Sequence, residues 1–133
     1  MSTPQARAKA RGRETENMVV GYLNDHGYPH AERRRLKGAK DEGDITGIPG
    51  VVIEVKGDRS MRIRAWREET VTEAWNAHVE FYFLVVRVEY KPVAEWDVHI
   101  PTGLIAEGLF ATEDVWIRMD LADAATLMKL QGY

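Results

Sequence analysis

Apolar residues recur along this chain with two different periods. From position 12 to about 26 the spacing is helical, with Val19, Val20 and Leu23 at i, i+1 and i+4. Gly27 ends that pattern as a C-cap glycine does. The stretch YPHAERRRL (28–36) reads as a short strand after Pro29, and KGAKDEG as a loop. Ile45 and the turn-rich TGIPG lead into VVIEVK, a β-branched strand. Residues 65–78 predict a helix with Trp66, Val71, Trp75 and His78 near one face. EFYFLVVRVEY (80–90) predicts a central strand, and WDVHI (96–100) its antiparallel neighbour across a Pro92 turn. DVWIRM predicts a short edge strand, and LADAATLMKL a last helix with Leu121, Ala125 and Met128 inward. The order αβββαββ(β)α predicts an α/β fold, a mixed sheet flanked by helices. Residues 1–10 are expected to form a mobile basic N-terminal tail, and 11–133 a single domain.

Two charges break the strand pattern. Alternate strand side chains share a face, so Val51, Ile53 and Val55 point one way and Val52, Glu54 and Lys56 the other. An ExK pair alone is most simply a surface ion pair. Asp44, however, lies ten residues before Glu54 across the TGIPG turn. If residues 44–46 and 52–56 pair as a hairpin, Asp44 falls beside Glu54, and adjacent carboxylates repel unless a cation sits between them. Such hard oxygen ligands suit Mg²⁺ or Mn²⁺, and Lys56 suits holding an attacked phosphate or lowering the cost of forming hydroxide. Glu16 sits one turn before Val19 and Val20 on the first helix, while Glu14 lies about 200° away. An acid on a buried stripe needs a partner; the alternative is that Glu16 tips out at the helix end. Gly12, four residues earlier, is expected to let a backbone approach closely.

Composition changes the picture only through its distribution. The 133 residues are 44% hydrophobic and 29% charged, contain no cysteine, and carry a net charge of −3. That excludes disulfides and thiolate zinc sites, suits a reducing cytoplasm, and offers no membrane-spanning run. Residues 1–67 hold 14 Lys/Arg against 9 Asp/Glu, whereas 68–133 hold 4 against 12. The basic half suits a polyanion, and the acidic half is expected to face away from it. Arg33, Arg35, Lys37 and Lys40, then Arg59 and Arg62, are candidate phosphate contacts, or else a solvated basic face. In a strand, Arg33 and Arg35 share one side and Arg34 the other. His26, His30, His78 and His99 are too scattered for a zinc site.

Glu16, Asp44 and Glu54-x-Lys56, in that order, resemble the PD-(D/E)xK nuclease signature. With Gly12, Gly27 and Tyr28, the segment HAERRRLKGAKDEGDITGIPGVVIEVK resembles archaeal-type Holliday junction resolvases, especially the branch carried by bacterial phages. The likeness is firm over residues 12–60 and weakens through 65–88. It implies a restriction-endonuclease-like sheet and a Mg²⁺-dependent DNA endonuclease, with Mn²⁺ as substitute. It further implies a homodimer acting on four-way junctions in the cytoplasm, a bacterial host's if the chain is phage-encoded. Position by position, Asp44 and Glu54 would bind metal, Lys56 would assist the water and phosphate, and Glu16 would support the metal or water. Gly43 stands where the signature has proline. Residues 65–78 lack the glutamine that some relatives place there, so the resemblance names no fifth catalytic residue.

Overall fold

The computed structural model describes residues 2–35, 41–105 and 115–133. Helix α1 spans Pro4–Asp25, followed by β1 (Glu32–Arg33), β2 (Ile45–Thr46), β3 (Val51–Lys56), α2 (Ile63–Ala77) and β4 (Phe81–Val86). Then come β5 (Asp97–Pro101), β6 (Trp116–Asp120) and α3 (Leu121–Leu130), with 3₁₀ turns at Val93–Glu95 and Thr102–Leu104. Among the described residues the strands form one sheet in chain order, β1-β2-β3-β4-β5-β6. β3 and β4 are parallel, with α2 as their crossover, and the other neighbours are antiparallel. The expected mixed sheet flanked by helices is what forms.

The two faces of β3 are covered separately. Val51, Ile53 and Val55 join Val19 and Leu23 of α1 and Leu121, Ala125 and Met128 of α3 in the main core. Val52 packs with Tyr82 and Ala74 of α2, while Leu84 and Val86 meet Trp66. With helices on both sides, every residue of β4 is buried, which explains its unbroken apolar run. Deleting a side chain such as that of the fully buried Phe83 would cost about 3–5 kcal/mol.

Several expectations need correction. Helix α1 starts at Pro4, so residues 4–10 are its exposed first turns rather than a tail. The Thr3 hydroxyl accepts from the Ala6 N–H at 3.0 Å, Pro4 suits the first helical position, and Ala, Gln, Lys and Arg propagate the helix. On α2 the buried residues are Trp66, Thr70, Glu73 and Ala74, and Trp75 is 81% exposed. Nine residues at about 100° each put Trp75 half a turn from Trp66. β4 stops at Val86, short of position 90, and Tyr90 takes a left-handed turn at φ 64°. β1 is only two residues long, so strand alternation does not extend along the arginines, and Arg33, Arg34 and Arg35 line one groove beside Asn17 and Val20. Lys37 and Lys40 lie outside the described residues.

The close approach assigned to Gly12 belongs to Gly57. A Cβ at Gly12 would meet nothing within 4 Å, whereas one at Gly57 would lie 2.4 Å from Thr15 Oγ1. Thr15 is fully buried, and Arg11 Nε donates to the Gly57 carbonyl at 2.6 Å. α1 is thus locked against the end of β3, which sets one wall of the site.

Candidate metal centre at the end of strand β3

The hairpin register fixes the heart of the site. Ile45 pairs with Ile53, which sets Asp44 level with Glu54 on the face that α2 covers. The Asp44 N–H donates to the Ile53 carbonyl at 3.0 Å, and Asp44 Oδ2 accepts from the Val55 N–H at 2.8 Å. Gly43 precedes it with φ 96°, a conformation closed to proline, so the departure from the signature is a local backbone requirement.

An open cleft of about 370 Å³ lies over this point. Glu16 from α1, Asp44 before β2, and Glu54 and Lys56 from β3 all line it, so the structure brings the four expected catalytic positions into one space. Arg11, Asp41, Arg62 and Glu69 also line it. Glu16 flanks the α1 stripe, which Thr15 rather than Glu16 occupies, and its Oε1 accepts from Arg33 Nε at 3.0 Å. Arg33, expected to contact phosphate, is therefore held at the cleft by an acid. Arg35 is exposed in the adjoining groove, Arg59 is exposed and pairs with Glu89, and Arg62 reaches Asp58 at 3.9 Å.

The acidic half of the chain does not stay away from the site. Glu69 and Glu73 lie one turn apart on α2. Glu69 Oε2 pairs with Lys56 Nζ at 2.9 Å, and Glu73, like Glu54, is only 3% exposed. Asp41, Glu69 and Glu73 were not singled out from the sequence. For Glu73 a signal was present: it falls seven residues after Trp66 and one before Ala74, on the buried stripe.

Burial dominates the electrostatics. It pushes Asp44 up to about 9, assisted by the hydrogen bond and negative charge of Glu54 and opposed by the Val55 N–H and Lys56. Burial likewise raises Glu54 to about 8 and Glu73 to about 7. Glu16 is raised by burial and then by Asp44, against Arg33. For Lys56 burial acts downward but is outweighed, first by its hydrogen bond to Glu69 and then by the surrounding carboxylates, so the amine is held above its ordinary value. Carboxyls this reluctant to ionise hold protons at neutral pH or exchange them for a stronger cation.

Among the described residues, Asp41, Glu54 and Glu73 offer oxygen atoms within 4.8 Å of one another and could hold a metal ion. No histidine joins them; His99 is buried elsewhere, its Nδ1 accepting from Arg67 at 2.9 Å. The donors are all carboxylate oxygens, and Glu73 Oε2 is buried with no hydrogen-bond partner. Both facts fit a hard divalent cation. No helix among the described residues is long and apolar enough to cross a membrane. Comparison with protein-family models, curated proteins and solved structures finds no match to this chain.

Proposed function

We propose that this chain is a Mg²⁺-dependent DNA endonuclease of restriction-endonuclease-like fold, acting in the cytoplasm as a homodimer on four-way junctions. The observation that carries the reading is the convergence of Glu16, Asp44, Glu54 and Lys56, from three separate segments, in one cleft. Asp44 and Glu54 would hold the ion, with Mn²⁺ able to replace Mg²⁺. Bound there, the cation supplies Lewis-acid charge against a non-bridging phosphate oxygen and lowers the cost of deprotonating water.

The protein's own groups do the rest. Lys56 stays protonated at neutral pH, so it acts as a positive charge on the phosphate rather than as the base that takes the water's proton. Glu69 fixes its ammonium and so limits the entropy lost on positioning it. Glu16, steadied by Arg33, orients the attacking water from the α1 wall. Attack in line breaks the P–O3′ bond; the water oxygen joins phosphorus as a 5′-phosphate and a proton goes to the 3′-oxygen. The groove of Arg33, Arg34 and Arg35 beside the cleft, with Arg62 lining the cleft itself, suits the flanking phosphates.

The test is incubation of the purified chain with a synthetic four-way junction, a linear duplex and a single strand, with and without Mg²⁺. Paired nicks in the junction alone support the reading. Cutting of every substrate would point to a different nuclease of the same architecture. Retardation of DNA without cleavage would leave a binding module and refute the enzymatic assignment.

A further inference from the structure

Three non-glycine residues among those described take a left-handed backbone: Met61, His78 and Tyr90, at φ 54°, 56° and 64°. The place of His78 explains it, since it caps the end of α2 and its N–H reaches the Ala74 carbonyl. Packing does not explain Met61 and Tyr90. Neither belongs to the hydrophobic core, and they are 52% and 103% exposed. A bulky side chain held out in water, on backbone that glycine adopts without strain, costs stability and gains no packing in return.

The two residues share one end of the sheet. β3 and β4 run parallel, and the Arg87 N–H donates to the Lys56 carbonyl at 2.9 Å where they finish. Met61 lies in the loop after β3 and Tyr90 in the loop after β4. Glu89 joins these loops, pairing with Arg59 at 3.4 Å and with Arg11 of α1. Each loop is also tied down by itself. Asp58 Oδ1 accepts from the Ser60 N–H at 2.8 Å, and the Lys91 carbonyl accepts from the indole of the buried Trp96 at 3.0 Å. Arg11, Asp58 and Arg62 line the cleft, so this rim borders it. On either side of Met61, the Arg59 and Arg62 side chains are 73% and 69% exposed.

An apolar thioether and an aromatic ring, fixed in place and edged by guanidinium groups, match the flat face of a nucleobase flanked by phosphates. In a linear duplex those faces are covered by neighbouring base pairs. Where arms meet, the stack is interrupted and the faces open. We propose that Met61 and Tyr90 form a base-contacting rim that recognises DNA with interrupted stacking, Met61 as a wedge and Tyr90 as a stacking platform. This deepens the nuclease reading, on which it rests for DNA as the ligand, and puts recognition of a branch in side chains outside the catalytic set.

The test is fluorescence anisotropy of a labelled four-way junction and of a linear duplex, measured in chelator over a range of salt. The chains compared are the parent, M61A, Y90A and Y90F, with thermal melts to check each fold. The parent should prefer the junction. M61A and Y90A should each weaken junction binding by about 5- to 100-fold while duplex affinity stays within about twofold. Y90F keeps the ring and should bind as the parent does. Stacking releases no counterions, so Y90A should leave the salt slope of junction binding unchanged.

Unchanged junction affinity in folded M61A or Y90A, or equal weakening on both DNAs, overturns the rim. A shallower salt slope in Y90A does so too, because the lost contact would then be one of charge. Mg²⁺-dependent cleavage is scored separately. A parent that cuts DNA while both alanine variants bind as it does keeps the nuclease reading and loses the rim, whereas a parent that binds neither DNA loses both.

Discussion

Replacing Glu54 with glutamine should make the metal-free protein more stable at neutral pH while destroying its response to Mg²⁺. Burial raises the Glu54 carboxyl from 4.5 to about 8. The folded state therefore binds a proton that the unfolded chain has released between those values. Stability from this group is fully present below pH 4.5 and is lost as pH climbs through about 8. Relative to low pH, the loss is about 3 kcal/mol at pH 7 and under about 1 kcal/mol at pH 5. Glutamine stays neutral and avoids that loss. Surrendering one acceptor offsets about 1 kcal/mol of the gain, leaving roughly 2 kcal/mol at pH 7. For a chain of 133 residues that corresponds to about 7 °C in melting temperature.

The assay is thermal unfolding in a chelator at pH 5 and pH 7, repeated with Mg²⁺ in excess. The parent should melt below E54Q at pH 7, approach it at pH 5, and gain stability with Mg²⁺ by mass action, whereas E54Q should gain nothing. If E54Q melted below the parent by the same margin at both pH values, burial would not be the cost assigned to this carboxyl.

Asp44→Asn should lower Mg²⁺-dependent cleavage by about 100-fold or more while junction binding, read by gel retardation, persists. Reversing charge at Arg33 and Arg35 should flatten the salt dependence of DNA affinity by about two units of log–log slope, and an unchanged slope would remove both from the phosphate footprint. Gly57→Ala places a methyl against Thr15 and should destabilise the fold by about 1–3 kcal/mol in urea titration; a change near zero would mean that α1 is not locked there. Glu69→Gln weakens the hold on the Lys56 proton, so the alkaline limb of the pH–rate profile should move to lower pH, a shift that a merely structural role would not produce.

Where local rules act alone, the sequence was sufficient. Strand alternation separated Val51, Ile53 and Val55 from Val52, Glu54 and Lys56, and the tight turn at 46–50 brought Asp44 level with Glu54. Where the answer depended on which helix face met the sheet, it was not. Trp66 and Trp75 look like one stripe until the nine-residue interval is converted to an angle. Choosing Trp66 as the inward residue then makes Glu73 buried and Glu69 a cleft residue. Asp41 escaped for a different reason: it lies in an acid-rich loop whose geometry depends on tertiary contacts to Asn76. The close approach expected at Gly12 falls instead at Gly57, because a glycine's reason for being small resides in the partner that approaches it, and Thr15 carries no mark of that in the chain.

The charge balance at the centre explains why carboxylates can persist in a sheet that is otherwise apolar inside. Lys56 is the cation acting on Asp44 and Glu54, yet its ammonium is held by Glu69, and Arg33 at the rim is held by Glu16. The positive side chains thus neutralise the margin while Asp44, Glu54 and Glu73 face one another. Only protons or an added cation can relieve that repulsion. At pH 7 protons fill that role, and a divalent ion at millimolar concentration, with twice the charge and able to bind several carboxylates at once, competes with them. The same burial that makes these acids hold protons near neutrality therefore makes proton-for-metal exchange possible. Raising pH should accordingly tighten Mn²⁺ binding by releasing the competing protons, with the steepest gain between the ordinary carboxyl range and about 9. Affinity that stayed flat across that interval would mean that the ion binds away from Asp44 and Glu54.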